Sequence, residues 1–176
     1  MLTPEQENWI SHLSKEKVKI VPYNPKTKEV FNKIKQEIQE VTGKTKVVHC
    51  GSTALGISGQ GEVDLYIPVD KIFFGKYLEK LIDYFGKPGS IYPLRRARFV
   101  KYVDDIKIEI FLISEETDDW KNSLRFENYL KQYQNALEEY RKLKEECNGL
   151  TTQEYYRRKL EFINKIVCMT EKKKKI

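Results

Sequence analysis

One stretch of this chain leaves the backbone few choices. Lys46-Val47-Val48-His49-Cys50 reads as a strand and runs directly into a glycine-rich segment from Gly51-Ser52 to Gly61. An acid-apolar-acid-apolar run, Glu62-Val63-Asp64-Leu65, follows at once. A glycine at a strand end opens conformations closed to other residues and lets a phosphate approach the backbone. Two acids at i and i+2 on a strand project to the same side, because side chains alternate along it.

The remaining pattern supplies elements for a sheet and its cover. Thr3-Pro4-Glu5-Gln6 has the residues of a capped helix start, with Thr at the cap and Gln three positions on. Val18 to Val21 alternates as a short strand and stops at Pro22. Asn24-Pro25 opens a helix whose Val30, Phe31, Ile34, Ile38 and Val41 form an apolar stripe, closed by Gly43. Glu62 to Ile67 is a strand expected to end at Pro68, and Asp70 caps a helix carrying Phe74, Tyr77, Leu78, Leu81 and Phe85. Arg98–Val103 and Ile106–Ile113 alternate around Asp104-Asp105, which predicts a hairpin. Phe126, Leu130, Tyr133, Leu137 and Tyr140 form a helical seam broken at Asn148-Gly149, and a last helix is expected from Thr152 to Met169.

The fold expected is therefore α+β. Residues 1–115 make a mixed sheet with helices on its faces, residues 116–170 a helical part packed on that core, and 171–176 a basic tail. A 40% apolar and 12% aromatic composition is enough for a core and sets disorder aside. Net charge is +6, and four of the positive charges are Lys172 to Lys175, so the body is nearly neutral. That implies mild attraction to polyanions and is no proof of nucleic-acid binding. Cys50, Cys147 and Cys168 are too scattered for a disulfide framework or a thiolate metal site. No apolar run is long enough for a membrane span and the first residues lack a leader pattern, so a cytoplasmic protein without a membrane partner is expected.

Phosphoryl and nucleotidyl transfer use divalent ions to screen phosphate oxygens and orient in-line attack. Such ions take hard oxygen ligands. Glu62 and Asp64 meet that need, with Val63, Leu65 and Ile67 facing the core and Tyr66 near the site. Glu109, on the apolar strand Ile106 to Phe111, is the natural third ligand, since an acid there is costly unless paired or metal-bound. An ion pair with Arg96 or Arg98 explains Glu109 equally well. Two solvated acids on a strand edge is the plainer reading of Glu62 and Asp64, and the Gly-Ser ahead of them favours the metal. Gly51, Ser52 and Thr53 are the candidate phosphate contacts, with a helix cap as the plainer role for Ser52. Arg95, Arg96 and Arg98 cluster where guanidinium groups would lie over a triphosphate, or face solvent. His49 is read as a structural hydrogen-bonding residue.

A strand ending in Gly-Ser, nine residues, then acid-apolar-acid-apolar resembles the signature of the polymerase-β-like nucleotidyltransferase superfamily. The closer likeness is to the GrpB-like proteins. Val21-Pro22-Tyr23-Asn24-Pro25 resembles that family's opening, and His49-Cys50-Gly51-Ser52-Thr53-Ala54 its His-x-Gly-Ser-Thr-Ala segment. Arg125 to Lys131, Tyr140 to Lys144 and Tyr155 to Ile163 are similar to its helical end. The resemblance spans residues 17–168. Where the family has Val-Pro-Gly, then Lys-Pro, then Asp-x-Asp, this chain has Leu55-Gly56-Ile57, Gln60-Gly61 and Glu62-Val63-Asp64. Two registers remain open, Glu62/Asp64 or Asp64/Tyr66, and the first keeps both carboxylates. The family commonly has His-x-His where this chain has Lys107-Ile108-Glu109, which draws it toward the catalytic members of the superfamily.

The resemblance implies a nucleotidyltransferase-like core that binds a nucleoside triphosphate with Mg²⁺ or Mn²⁺ on Glu62, Asp64 and Glu109. Its acceptor would be a small molecule, RNA or protein. The other expectations are a nucleotide- or phosphometabolite-binding module without turnover, and an RNA or protein interaction domain using the basic helical face.

Overall fold

The computed structural model describes residues 1–173, with side chains through Glu171. The chain divides into two compact units, each assembled from separate segments. One holds Tyr23–Gly56 and Gly61–Lys121; the other holds Met1–Pro22, Ile57–Gln60 and the chain from Asn122 onward. The first is the sheet unit and the second the helical unit. The N-terminal segment thus groups with the C-terminal helices, whereas the sequence reading divided the chain near residue 115.

The sheet unit contains α2 (Lys26–Thr42), β1 (Val48–Cys50), the short α3 (Gly51–Leu55), β2 (Val63–Val69), α4 (Phe74–Phe85), β3 (Ser90–Tyr92), β4 (Arg96–Val103) and β5 (Ile106–Ser114). Its five strands lie in the order β1-β2-β5-β4-β3. β2 and β5 pair in parallel and the other neighbours are antiparallel, so the sheet is mixed as expected. One face is the core. Val63, Leu65 and Ile67 of β2, Ile108, Ile110 and Leu112 of β5, and Ala97 and Phe99 of β4 are all buried. They pack with Val30, Ile34 and Ile38 of α2 and Phe74 and Leu81 of α4.

Alternation sends the intervening residues of the same strands to the other face. There Asp64 and Tyr66 of β2 stand beside Glu109 and Phe111 of β5, their register partners. Arg96 and Arg98 of β4 continue this face, opposite Ile113 and Phe111.

Asn24 caps α2 by accepting from the Lys26 amide at 3.1 Å, and Gly43 closes it in the left-handed conformation. Asp70 accepts from the Ile72 amide and starts a 3-10 turn leading into α4. The Asp104-Asp105 hairpin turn has positive φ at both residues, 48° and 62°. That is a type I′ turn, whose twist matches the flanking strands.

Pro68 does not end β2 as expected; it pairs with Ile113 and the strand runs to Val69. The β1 pairing stops at Tyr66, so among the described residues that edge of β2 has no strand neighbour at Pro68. A residue without an N–H is tolerated at such an edge.

The helical unit has α1 (Pro4–Ser11), most of α5 (Asp118–Gln132), α6 (Gln134–Glu146) and α7 (Thr152–Lys173). The capping box at Thr3 and Gln6 is formed in both directions. The seam from Phe126 to Tyr140 is broken at Tyr133, whose extended backbone caps α6. Phe126, Tyr140 and Phe162 meet as an aromatic cluster, with centroids 5.1 and 5.3 Å apart along it. Val18 to Val21 is not a strand. It makes isolated bridges at either end, Lys17 to Thr151 and Val21 to Gly59, because its partners are loop residues. Val18, Cys147 and Tyr155 form a second small core. α7 continues past Met169 to Lys173, and the rest of the expected tail, 174–176, lies outside the described residues. Among the described residues no helix is long and apolar enough to cross a membrane.

Candidate active site

The polar face of the sheet unit gathers the sequence-predicted acids. Glu62, Asp64 and Glu109 each bring a carboxylate oxygen within 4.8 Å of the others. The parallel register, Asp64 opposite Glu109, puts the two strand acids side by side, and Glu62 joins them from the residue just before β2. Of the two registers left open, this is the Glu62/Asp64 arrangement. Tyr66 instead stacks on Phe111 at 4.8 Å and on Trp120 at 5.7 Å.

The Gly51 turn holds Asp64 from the other side. Gly51 has φ +79°, and a Cβ there would overlap Asp64 Oδ2 and lie 3.3 Å from its Cγ. Only glycine satisfies both the backbone angle and the space. Ser52 follows in α3. Thr53 is turned inward, donating its hydroxyl to the Glu62 carbonyl at 3.1 Å, with His49 Nε2 3.0 Å from the Thr53 hydroxyl oxygen. The Thr53 side chain therefore anchors the backbone that carries Glu62. His49 also stacks on Phe31 at 4.4 Å, which fits the structural role expected for it.

Two cations share the cluster. Lys107 Nζ lies 2.7 Å from Glu62 Oε1 and 2.8 Å from Glu109 Oε1. Arg98 donates to the same Glu109 oxygen at 3.1 Å. Burial alone would push the Lys107 ammonium toward neutrality; hydrogen bonds to Glu109 and Glu62 outweigh it and hold the group above the ordinary lysine range. Arg96 lies over the Tyr92 ring at 5.1 Å and the Phe111 ring at 5.9 Å. The Nε atoms of Arg96 and Arg98 are buried and make no hydrogen bond among the described residues. Arg95 sits apart, 3.6 Å from the exposed Asp119.

The Arg98 pair is one that sequence reading had weighed for Glu109. Lys107 was missed. Its signal was present, since a residue two before Glu109 on one strand shares its face.

Three carboxylates with converging oxygens make a donor set suited to Mg²⁺ or Mn²⁺, which prefer hard oxygen ligands. The set fits such an ion, with Lys107 and Arg98 as the charges it would meet there.

A family model described as GrpB protein matches residues 17–168. The crystal structure of conserved protein GrpB from Enterococcus faecalis superposes with a TM-score of 0.70 at 22% identity, covering 89% of this chain and 99% of that one. The RNA terminal uridylyl transferase Cid1 superposes at 0.45 with 14% identity, over 76% of this chain and 44% of its own. A second Cid1 structure, a poly(U) polymerase with Mg and 3'-dATP bound, gives 0.44 with 14% identity, over 80% and 48%. No curated protein matches the sequence. A family match over this much of the chain, with the same fold along nearly all of a solved GrpB protein, makes the chain a member of the GrpB family.

Proposed function

We propose that the polar face of the sheet unit is a nucleotidyltransferase-type site that binds a nucleoside triphosphate together with a divalent cation. The observation that carries this reading is the convergence of Glu62, Asp64 and Glu109 within 4.8 Å beside the Gly51 turn. Glu62, Asp64 and Glu109 would hold Mg²⁺ or Mn²⁺, which when bound screens phosphate charge and lowers the pKa of an acceptor hydroxyl.

The chain's own residues supply the rest. Gly51 gives its side-chain space to the Asp64 carboxylate, and the Gly51 and Ser52 amides with the Ser52 hydroxyl are the donors for a phosphate on that side. Arg98 fixes Glu109 through one nitrogen and keeps further N–H groups for a phosphate oxygen. Arg96, braced on Tyr92, offers a second guanidinium on the same face. Thr53 acts at one remove, by tying Glu62 to the turn. The acceptor's oxygen, with its proton passed to water where it is a hydroxyl, attacks the α-phosphorus; the new P–O bond forms as the bond to the α–β bridging oxygen breaks and pyrophosphate leaves.

A second reading is a nucleotide- or phosphometabolite-binding module without turnover. The ion pairs of Lys107 with Glu62 and Glu109 favour it, since they neutralise acids that transfer chemistry would commit to metal.

A thermal-shift panel of ATP, GTP, CTP and UTP, with and without Mg²⁺ or Mn²⁺, separates these readings. Ligand that binds only the folded state raises its stability by mass action. The first reading expects a metal-dependent shift that Asp64→Asn abolishes. A shift indifferent to metal and to Asp64 would favour the second, and no shift with any nucleotide would contradict both.

A further inference from the structure

We infer that Lys107 is a resident cation that competes with divalent metal for Glu62 and Glu109. The inference rests on the metal reading of the three acids and adds what controls their occupancy. β5 delivers an acid and a base to one face, Glu109 and Lys107 two residues apart. The parallel register sets Ile108 against Val63, so Lys107 arrives beside Glu62 and Glu109 beside Asp64. The ammonium bridges the two glutamates, 2.7 Å from one and 2.8 Å from the other, and so takes oxygens from both.

Arg98 adds a second positive charge on the same Glu109 oxygen. Three carboxylates against two cations leave one net negative charge, a far weaker attractor for a divalent ion than three would be. Arg98 pairs with Glu109, whereas Lys107 bridges Glu62 and Glu109, two of the three prospective ligands. Metal entry therefore requires Lys107 to leave. Its side chain is 32% exposed and ends a flexible four-carbon stem, so release needs no movement of the sheet. Lys107 thereby sets how much free metal the site needs.

The test is a titration of the full chain with Mn²⁺ at fixed neutral pH and ionic strength, read from the EPR signal of free Mn²⁺. Lys107→Met and Lys107→Gln remove the charge at different polarity, and thermal melts identify which variants are folded. Each folded neutral variant is expected to bind one Mn²⁺ at least about tenfold more tightly than wild type. Lys107→Arg should stay as weak as wild type, and adding Asp64→Asn to Lys107→Gln should abolish the gain. Equal affinity in wild type and the neutral variants would overturn the inference and leave the metal reading standing. Tightening that survives Asp64→Asn would overturn it by locating the ion elsewhere. No Mn²⁺ binding in any protein would overturn both the inference and the metal reading.

Discussion

The Asp64 carboxylate lies against the Cα of Gly51, in the space a side chain at residue 51 would occupy. A turn and a strand acid are thereby locked to one another. Gly43 is the natural control, because it has a similar φ of +83° with nothing within 4 Å of a built Cβ. Alanine at either position should cost about 1–2 kcal/mol for the left-handed backbone. Gly51→Ala should additionally displace Asp64 and remove metal-dependent nucleotide stabilisation, which Gly43→Ala should retain. Chemical denaturation and thermal shift on the two variants check this.

Glu109 is nearly buried and holds two cations, whereas Asp119 holds one exposed arginine. Glu109→Gln should lower stability by about 1–3 kcal/mol, because Lys107 and Arg98 lose a charged acceptor in a half-dry setting. Asp119→Asn should stay within about 0.5 kcal/mol. Urea midpoints of the two variants against wild type decide the matter.

The Asp104-Asp105 turn holds two non-glycine residues at positive φ. Asp105→Gly converts it to the Asp-Gly sequence favoured by type I′ turns, and stability should rise by about 0.5–1 kcal/mol. No change or a loss in denaturation midpoint would mean that the Asp105 side chain contributes something its backbone angle conceals.

The three thiols differ in access: Cys168 is exposed, and Cys50 and Cys147 are buried. One thiol should react rapidly with a chromogenic disulfide in the native protein and two only on unfolding. Burial also pushes the Cys147 thiol above its ordinary 9.0. The unfolded chain then loses that proton at lower pH than the folded one. This thiol's contribution to stability is full below 9.0 and falls as pH rises past it. The fall in urea midpoint from about pH 8 to about pH 10 should be smaller in Cys147→Ala than in wild type.

Much of this architecture was legible in the chain because local chemistry dictates it. Thr3, Pro4 and Gln6 specify a helix start, and Asp104-Asp105 between alternating runs specifies a hairpin; both form as read. Glu62 and Asp64 were found by spacing, and Glu109 by the implausibility of an acid in an apolar strand; the three converge. What escaped depended on partners distant in sequence. β3 is three residues long, with Ile91 and Tyr92 exposed at the sheet edge, so no burial pattern marked it. Val18 to Val21 looked like a strand because its alternation is real, but its bridges go to Thr151 and Gly59, in loops. Pro68 stops a strand only where both edges are paired, and β1 is too short to reach it. Lys107 was passed over because a lysine two residues from an acid is ordinary until the neighbouring strand brings Glu62 to it.

The most direct measurement is an anomalous-scattering map of crystals grown with Mn²⁺ and a non-hydrolysable nucleoside triphosphate. The account predicts a manganese peak bonded to oxygens of Asp64 and at least one of Glu62 and Glu109, at about 2.0–2.3 Å. Lys107 Nζ should have moved off those carboxylates, and a phosphate should lie beside Gly51 and Ser52. Nucleotide bound elsewhere, or a Lys107 still bridging Glu62 and Glu109 with no manganese among the three acids, would contradict it.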